Sequence, residues 1–99
     1  FMGIWSNDRL LGLLAQAVGQ FAISATHFDE AMEFCRKTEA KPELAWSLHD
    51  YADMLLERDE PGDRQKAIAM LDESLQISTD RSMRPLMERV LSKRDILKA

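Results

Sequence analysis

The chain has 99 residues, 45% hydrophobic and 30% charged, with 13 basic against 17 acidic side chains and a net charge of −4. That balance describes one small folded domain and excludes a disordered tail and a collagen-like rod. One cysteine and two histidines are too few for a disulfide scaffold or a multi-ligand metal site.

Apolar residues recur at the helical period in every segment and no window alternates as a strand does, so the expected class is all-α. A first helix is predicted over residues 8–18, with Ser6 or Asn7 as its N-cap and Gly19 as its stop. Leu10, Leu11, Leu13, Leu14, Ala15, Ala17 and Val18 make it apolar almost all round. The run imitates a signal peptide, because Ala15-Gln16-Ala17 looks like a cleavage site. The residues ahead of it carry no net positive charge, however, and the run is far too short to span a bilayer. It reads as a packed helix, and no membrane partner is expected.

The second helix is predicted over residues 22–37, with Ser24, Ala25, Phe28, Ala31, Met32 and Cys35 along one side. The third opens at Pro42, whose missing N–H costs nothing in a first turn, and runs to about residue 57. Its stripe is Leu44, Leu48, Tyr51, Ala52 and Leu55. Pro61-Gly62 breaks the chain, and Asp63 is expected to cap a fourth helix to about residue 78. Ala67, Ile68, Leu71, Ser74, Leu75 and Ser78 form its inner side. A fifth helix opens at Pro85, with Leu86, Met87, Val90, Leu91 and Leu97 on its apolar face.

Charge is unevenly spread: residues 1–80 sum to −8 and residues 81–99 to +4. An acidic body repels phosphate backbones, so direct nucleic-acid binding is not expected. Arg84, Arg89, Lys93 and Arg94 read as a solvated helix face. The lone Cys35 fits a reducing, cytoplasmic location.

An internal repeat organises these helices. Pro42 and Pro85, 43 residues apart, each open one. The same shift carries Ser24 to Ala67, Phe28 to Leu71, Ala31 to Ser74, Met32 to Leu75 and Phe34 to Ile77. It also carries Leu44 to Met87 and Leu48 to Leu91. Small falls on small and large on large, as helix crossings require. The chain therefore alternates two helix types, A-B-A-B-A, which is the signature of a solenoid.

Leu11-Gly12, Gly19-Gln20-Phe21, Ser24, Phe28 and Ala31 resemble the tetratricopeptide repeat (TPR). Tyr51-Ala52, Ala67, Leu71 and Ser74 follow in a second unit, whose A–B loop is three residues longer. The resemblance implies a right-handed stack of helical hairpins: one repeat over residues 7–38, another over 42–80, and a last helix over 85–98. It implies a protein-binding surface with no cofactor and no catalysis. His27 to Met32, Ala45 to Ala52, Glu60 to Arg64 and Met83 to Leu86 resemble, more narrowly, the C-terminal helical repeats of large bacterial signalling proteins. Those join an ATPase domain to a nucleotide cyclase or a DNA-binding transcription activator. A sensing or scaffolding segment cut from a longer solenoid is implied, its partner a protein, a peptide or another domain of the parent chain.

His49 and Asp53 share a helix face, and imidazole with carboxylate is metal chemistry. Asp50 points about 100° away, and the other histidine lies far upstream. Two ligands seldom hold a metal, so a small metal-dependent helical enzyme on His49 and Asp53 is the alternative and not the main expectation. The main one is a partner-binding face: Trp46, His49, Asp53 and Leu56, opposite the core stripe, with Ser6, Arg9, Leu13 and Gln16 as counterparts in the first unit. Trp46 packing on a neighbouring helix is the plainer reading of that residue. The Lys and Asn set with which TPR domains grip a terminal carboxylate is absent, since Arg9 is followed by Leu13 and His49 by Asp53. His27 and Glu30 read as a helix-surface pair and Cys35 as a buried, inert thiol. Of the first 28 residues 16 are apolar, among them Phe1, Met2, Ile4 and Trp5. A five-helix stack cannot hide a first helix that is apolar all round, so a homodimer burying Trp5, Leu10 and Leu14 is expected.

Overall fold

Five helices follow one another with short connections: α1 (Ile4–Ala17), α2 (Phe21–Thr38), α3 (Lys41–Arg58), α4 (Asp63–Asp80) and α5 (Arg84–Lys98). The computed structural model describes the backbone of residues 4–98 and the side chains of residues 11–95. Helices α1 and α2 form one hairpin, α3 and α4 a second, and α5 packs on α4. The hairpins join through α2 against α3, with α1 also touching α3. The molecule measures 41 × 33 × 19 Å, and its short dimension is that of two helix layers about 10 Å thick. No helix among the described residues is long and apolar enough to cross a membrane.

Four of the five helices lie within two residues of their predicted bounds. The exception is the start of α1: the helix begins at Ile4, so Ser6 and Asn7 lie inside it and neither is at the N-cap position. Serine and asparagine are only mildly unfavourable within a helix, so they permit a start without imposing one. Pro42 and Pro85 are each the second residue of their helix, where no intrahelical N–H is needed.

The helix ends divide into two kinds. Gly19 takes φ +81° after α1, as a glycine stop should. Glu39 after α2 and Asp59 after α3 adopt the same left-handed conformation at φ 55° without being glycine. There the Ala40 N–H donates to the Cys35 carbonyl at 2.9 Å, and the Asp59 N–H to that of Leu55 at 2.9 Å.

The start of α4 corrects a second expectation. Gly62 occupies the N-cap and Asp63 is the first helical residue, with no side-chain cap bond. Its carboxylate turns back instead. It accepts two hydrogen bonds of 2.8 Å from Arg58 and one of 3.0 Å from the Glu60 N–H. The longer A–B loop is thus closed by a fork-on-carboxylate clasp.

Helix α3 is the centre of the core. Between Leu44 and Leu55 only Trp46 and Asp53 retain appreciable exposure. Tyr51 stacks on Phe28 of α2 with ring centroids 5.4 Å apart and planes 17° from parallel. Small residues let the helices of each hairpin approach: Gly12, Ser24, Ala31, Ala52, Ala67 and Ser74 are all buried. A Cβ on Gly12 would lie 3.0–3.1 Å from the Phe28 ring. The Ser24 hydroxyl donates to the Gly12 carbonyl at 2.7 Å, and that of Ser74 to the Ala45 carbonyl at 2.8 Å.

The 43-residue shift holds well for the B helices. Ser24 and Ala67, Phe28 and Leu71, and Ala31 and Ser74 are all fully buried. It slips for the A helices. Leu44 and Leu48 are buried, while Met87 is half-buried and Leu91 exposed; α5 buries Leu86 and Val90 instead. The cause is that α3 is sandwiched between α2 and α4, whereas α5 packs mainly on α4 and reaches α3 through side chains such as Lys93 and Arg89. Leu97 falls outside the described side chains.

The basic C-terminal stretch is not simply solvated. Arg81, Arg84 and Arg89 are exposed, but half-buried Lys93 pairs with Asp53 of α3 and half-buried Arg94 pairs with Asp72 of α4 at 2.7 Å. The +4 segment thereby docks onto the acidic body.

Candidate functional site

Helices α3 and α5, two A helices of successive units, leave a groove of about 610 Å³ between them. His49 and Asp53 line it from α3, and Pro85, Glu88, Arg89, Ser92 and Lys93 from α5. His49 and Asp53 lie four apart, and Pro85, the pair Glu88-Arg89 and the pair Ser92-Lys93 recur every three or four residues, which places each set on one face of its helix.

The groove combines apolar and charged elements. The Arg89 guanidinium lies 5.7 Å from the centre of the Trp46 ring, a cation–π arrangement at the rim. The His49 ring meets Trp46 edge-on, 6.2 Å away at 80°. His49 Nδ1 is 3.1 Å from the Asp50 carboxylate, and both residues are buried. An ionised carboxylate only accepts, so this contact is a hydrogen bond in the tautomer that carries its proton on Nδ1. Asp53 and Lys93 bridge the two helices as an ion pair.

The geometry revises the expected face. His49 is buried, and its partner is Asp50, not Asp53. The 100° separation holds for the Cα–Cβ directions, but the ends of adjacent side chains can still meet. Leu56 and Leu13 pack against the core, and Gln16 donates to the Glu57 carboxylate at 2.8 Å, so none of them lines the groove. Trp46 packs against the core, the plainer of its two readings, and its ring also carries the Arg89 guanidinium. Leu14 is exposed. The side chains of Trp5, Ser6, Arg9 and Leu10 lie outside the described residues, as do Phe1 and Met2.

The contribution of α5 was missed, although the repeat pointed to it. The 43-residue shift that carries Pro42 onto Pro85 also carries Trp46 onto Arg89 and His49 onto Ser92.

The remaining titratable groups are structural. Burial pushes the Cys35 thiol up to about 11, which leaves it protonated and unreactive at neutral pH. Burial and the neighbouring Asp29 carboxylate push the Tyr51 phenol up to about 12. The Arg58 guanidinium holds Asp63 down to about 2. Arg36 of α2 grips Glu73 of α4 through two bonds of 2.8 and 3.0 Å and keeps that carboxyl below the usual range. His27 Nδ1 lies 4.0 Å from Glu30. Among the described residues no three histidine, cysteine or acidic side chains gather in a way that could hold a metal ion.

Comparison with known families matches the tetratricopeptide repeat to residues 4–80. Comparison with curated proteins and with solved structures finds no significant match. Repeats of this family typically serve in protein–protein interaction and are generally non-catalytic. With two A–B hairpins, small residues at their crossings and a family match over most of its length, the chain belongs to the tetratricopeptide-repeat family.

Proposed function

We propose that the chain is a non-catalytic module that binds an extended segment of a partner protein, or of another domain of its parent chain, in the α3–α5 groove. The observation that carries this reading is the groove itself: two A helices line one open channel with an imidazole and charges of both signs, and the Trp46 ring lies against Arg89 of its wall. Rigid helices cost little ordering entropy on binding, and an aromatic with an arginine beside it is the usual composition of an interface anchor. Trp46, His49, Asp53 and Arg89 are the contacts, with Lys93 tying the walls together. The resemblance of four sequence stretches to bacterial signalling proteins supports a scaffold or regulatory role in such a cytoplasmic signalling or transcription regulator.

A displayed peptide library selected on the 99-residue chain tests the groove. Selected peptides should perturb the backbone amide resonances of α3 and α5 and bind Arg89→Ala and Asp53→Lys at least tenfold more weakly, about 1.4 kcal/mol. Peptides that bind both variants as tightly as the parent chain, or that perturb only α2 and α4, would place the site elsewhere.

A further inference from the structure

The His49 ring is held at one end and left unused at the other. The residue is only 5% exposed. Its Nδ1 lies 3.1 Å from the carboxylate of Asp50, itself buried, and Trp46 meets the ring edge-on. Trp46, His49 and Asp50 all belong to α3, so one helix sets the orientation of the ring. That ring lines the α3–α5 groove, and its Nε2 has no hydrogen-bond partner among the described residues.

The two tautomers of a neutral imidazole treat this pair oppositely. With the proton on Nδ1, the ring donates to Asp50 and Nε2 carries a lone pair. With the proton on Nε2, the bare Nδ1 faces a carboxylate that also only accepts. Two acceptors set against each other in a buried place are costly, because little water reaches them to compensate. The group bound to one ring nitrogen thus decides what the other presents. Under the first tautomer the groove has an acceptor on its α3 wall, Nε2, and a donor on its α5 wall, the Arg89 guanidinium. The other acceptor from α3, Asp53, is already engaged by Lys93. The main chain of an extended segment offers the matching groups, an N–H and a C=O in every residue except proline. Neither can be covered without a partner.

We infer that Asp50 is a positioning residue that keeps the His49 proton on Nδ1, so that Nε2 accepts one main-chain N–H of the segment bound in the groove. The inference rests on the groove reading above and adds a requirement on the partner: one of its residues cannot be proline. A carboxylate at that point would meet Nε2 lone pair against lone pair and is refused.

Proton–nitrogen correlation spectra of the imidazole rings, recorded at about pH 8 where an unperturbed imidazole is neutral, show which nitrogen bears the proton. The signals that vanish in His49→Asn are those of His49. The asparagine amide can still donate to Asp50 and offers nothing in place of Nε2. The His49 ring of the parent chain should carry its proton on Nδ1 alone. In Asp50→Asn, whose amide can either donate or accept, the proton should shift toward Nε2 while the helical circular dichroism spectrum is kept. A parent ring protonated on Nε2, alone or together with Nδ1, overturns the inference. Next, each residue of a peptide selected on the groove is N-methylated in turn. Methylation at one position should weaken binding to the parent chain by about tenfold or more, and to His49→Asn by less than about twofold. Peptides that perturb α3 and α5 but have no such position, or that reach His49 through a side-chain donor, overturn the inference and leave the groove reading standing. Peptides that bind elsewhere on the chain overturn both.

Discussion

The first hairpin and the second are built from the same plan and live in different surroundings. Helix α3 is enclosed by α2, α4 and part of α1, and it buries nearly every side chain from Leu44 to Leu55. Helix α1 has α2 on one side and only a light contact with α3, and it leaves Leu11, Leu14 and Val18 open. The turns differ as well: each carries a left-handed glycine, Gly19 or Gly62, and the second hairpin adds the Arg58–Asp63 clasp. In a repeat protein, stability comes from each unit's own fold plus its contacts with neighbours, so one sequence pattern yields unequal units according to position.

The largest expected effect separates these units directly. Met54→Ala removes a fully buried side chain and should cost about 2–5 kcal/mol in urea unfolding, by lost transfer energy and cavity formation. Leu14→Ala, at the corresponding position of α1, should cost under about 1 kcal/mol in the dilute chain. Equal losses would show that the two A helices are equally enclosed.

Gly12→Ala comes next. The added methyl would press on the Phe28 ring, which is fully buried and held against Tyr51, so it cannot yield easily. Overpacking costs about 1–3 kcal/mol, while helix propensity returns up to about 1 kcal/mol, so a net loss of about 1 kcal/mol is expected in thermal or urea unfolding. Ala52 already carries that methyl in α3, so the prediction is specific to the first hairpin.

The clasp of the second hairpin should show in acid. Asp63 is held at about 2 against an ordinary 3.8, so the folded state keeps its charge where the unfolded chain has taken up a proton. Its contribution is complete above about pH 4 and is lost as the pH falls toward 2. Urea midpoints measured between pH 5 and pH 2 should therefore fall more for the parent chain than for Asp63→Asn. The same fall in both would mean the clasp adds nothing.

The smallest effects concern single bonds and single turns. Ser24→Ala and Ser74→Ala each remove one buried hydroxyl bond, and each should cost about 0.5–1.5 kcal/mol. Similar values in both would show that the two crossings are equivalent despite their different surroundings. Glu39→Gly relieves a left-handed backbone position and should raise the unfolding free energy by up to about 1 kcal/mol, read as a higher urea midpoint. The same change at the ordinary helical position Glu33 should lower it.

Much of this was legible in the sequence because it depends on period and residue size. Ser24, Phe28, Ala31, Ala67, Leu71 and Ser74 announced the crossings, and Pro42, Gly19 and Pro61-Gly62 announced the breaks. The stops at Glu39 and Asp59 were not legible, because a left-handed terminal residue without glycine follows from tertiary context. The clasp was misread as a cap because Asp63 has the right chemistry for either role, and only the position of Arg58 decides between them. The groove was half legible. Helical spacing put His49 and Asp53 together, but their partners Asp50 and Lys93 depend on side-chain reach and on how α5 docks. Leu13, Gln16 and Leu56 lie away from the α3–α5 groove because spacing gives a direction and not the neighbour found there.

Amide hydrogen exchange on the dilute chain tests most directly the claim that one repeat plan produces an enclosed unit and an open one. Exchange reports local opening, which follows burial and contact density along the chain. The amides of α3 from Leu44 to Leu55 should be the slowest, those of α4 between Ala67 and Ser78 close behind, and those of α1 faster by at least tenfold. Protection in α1 equal to that in α3 would contradict the account, because it would mean the first hairpin is as enclosed as the second.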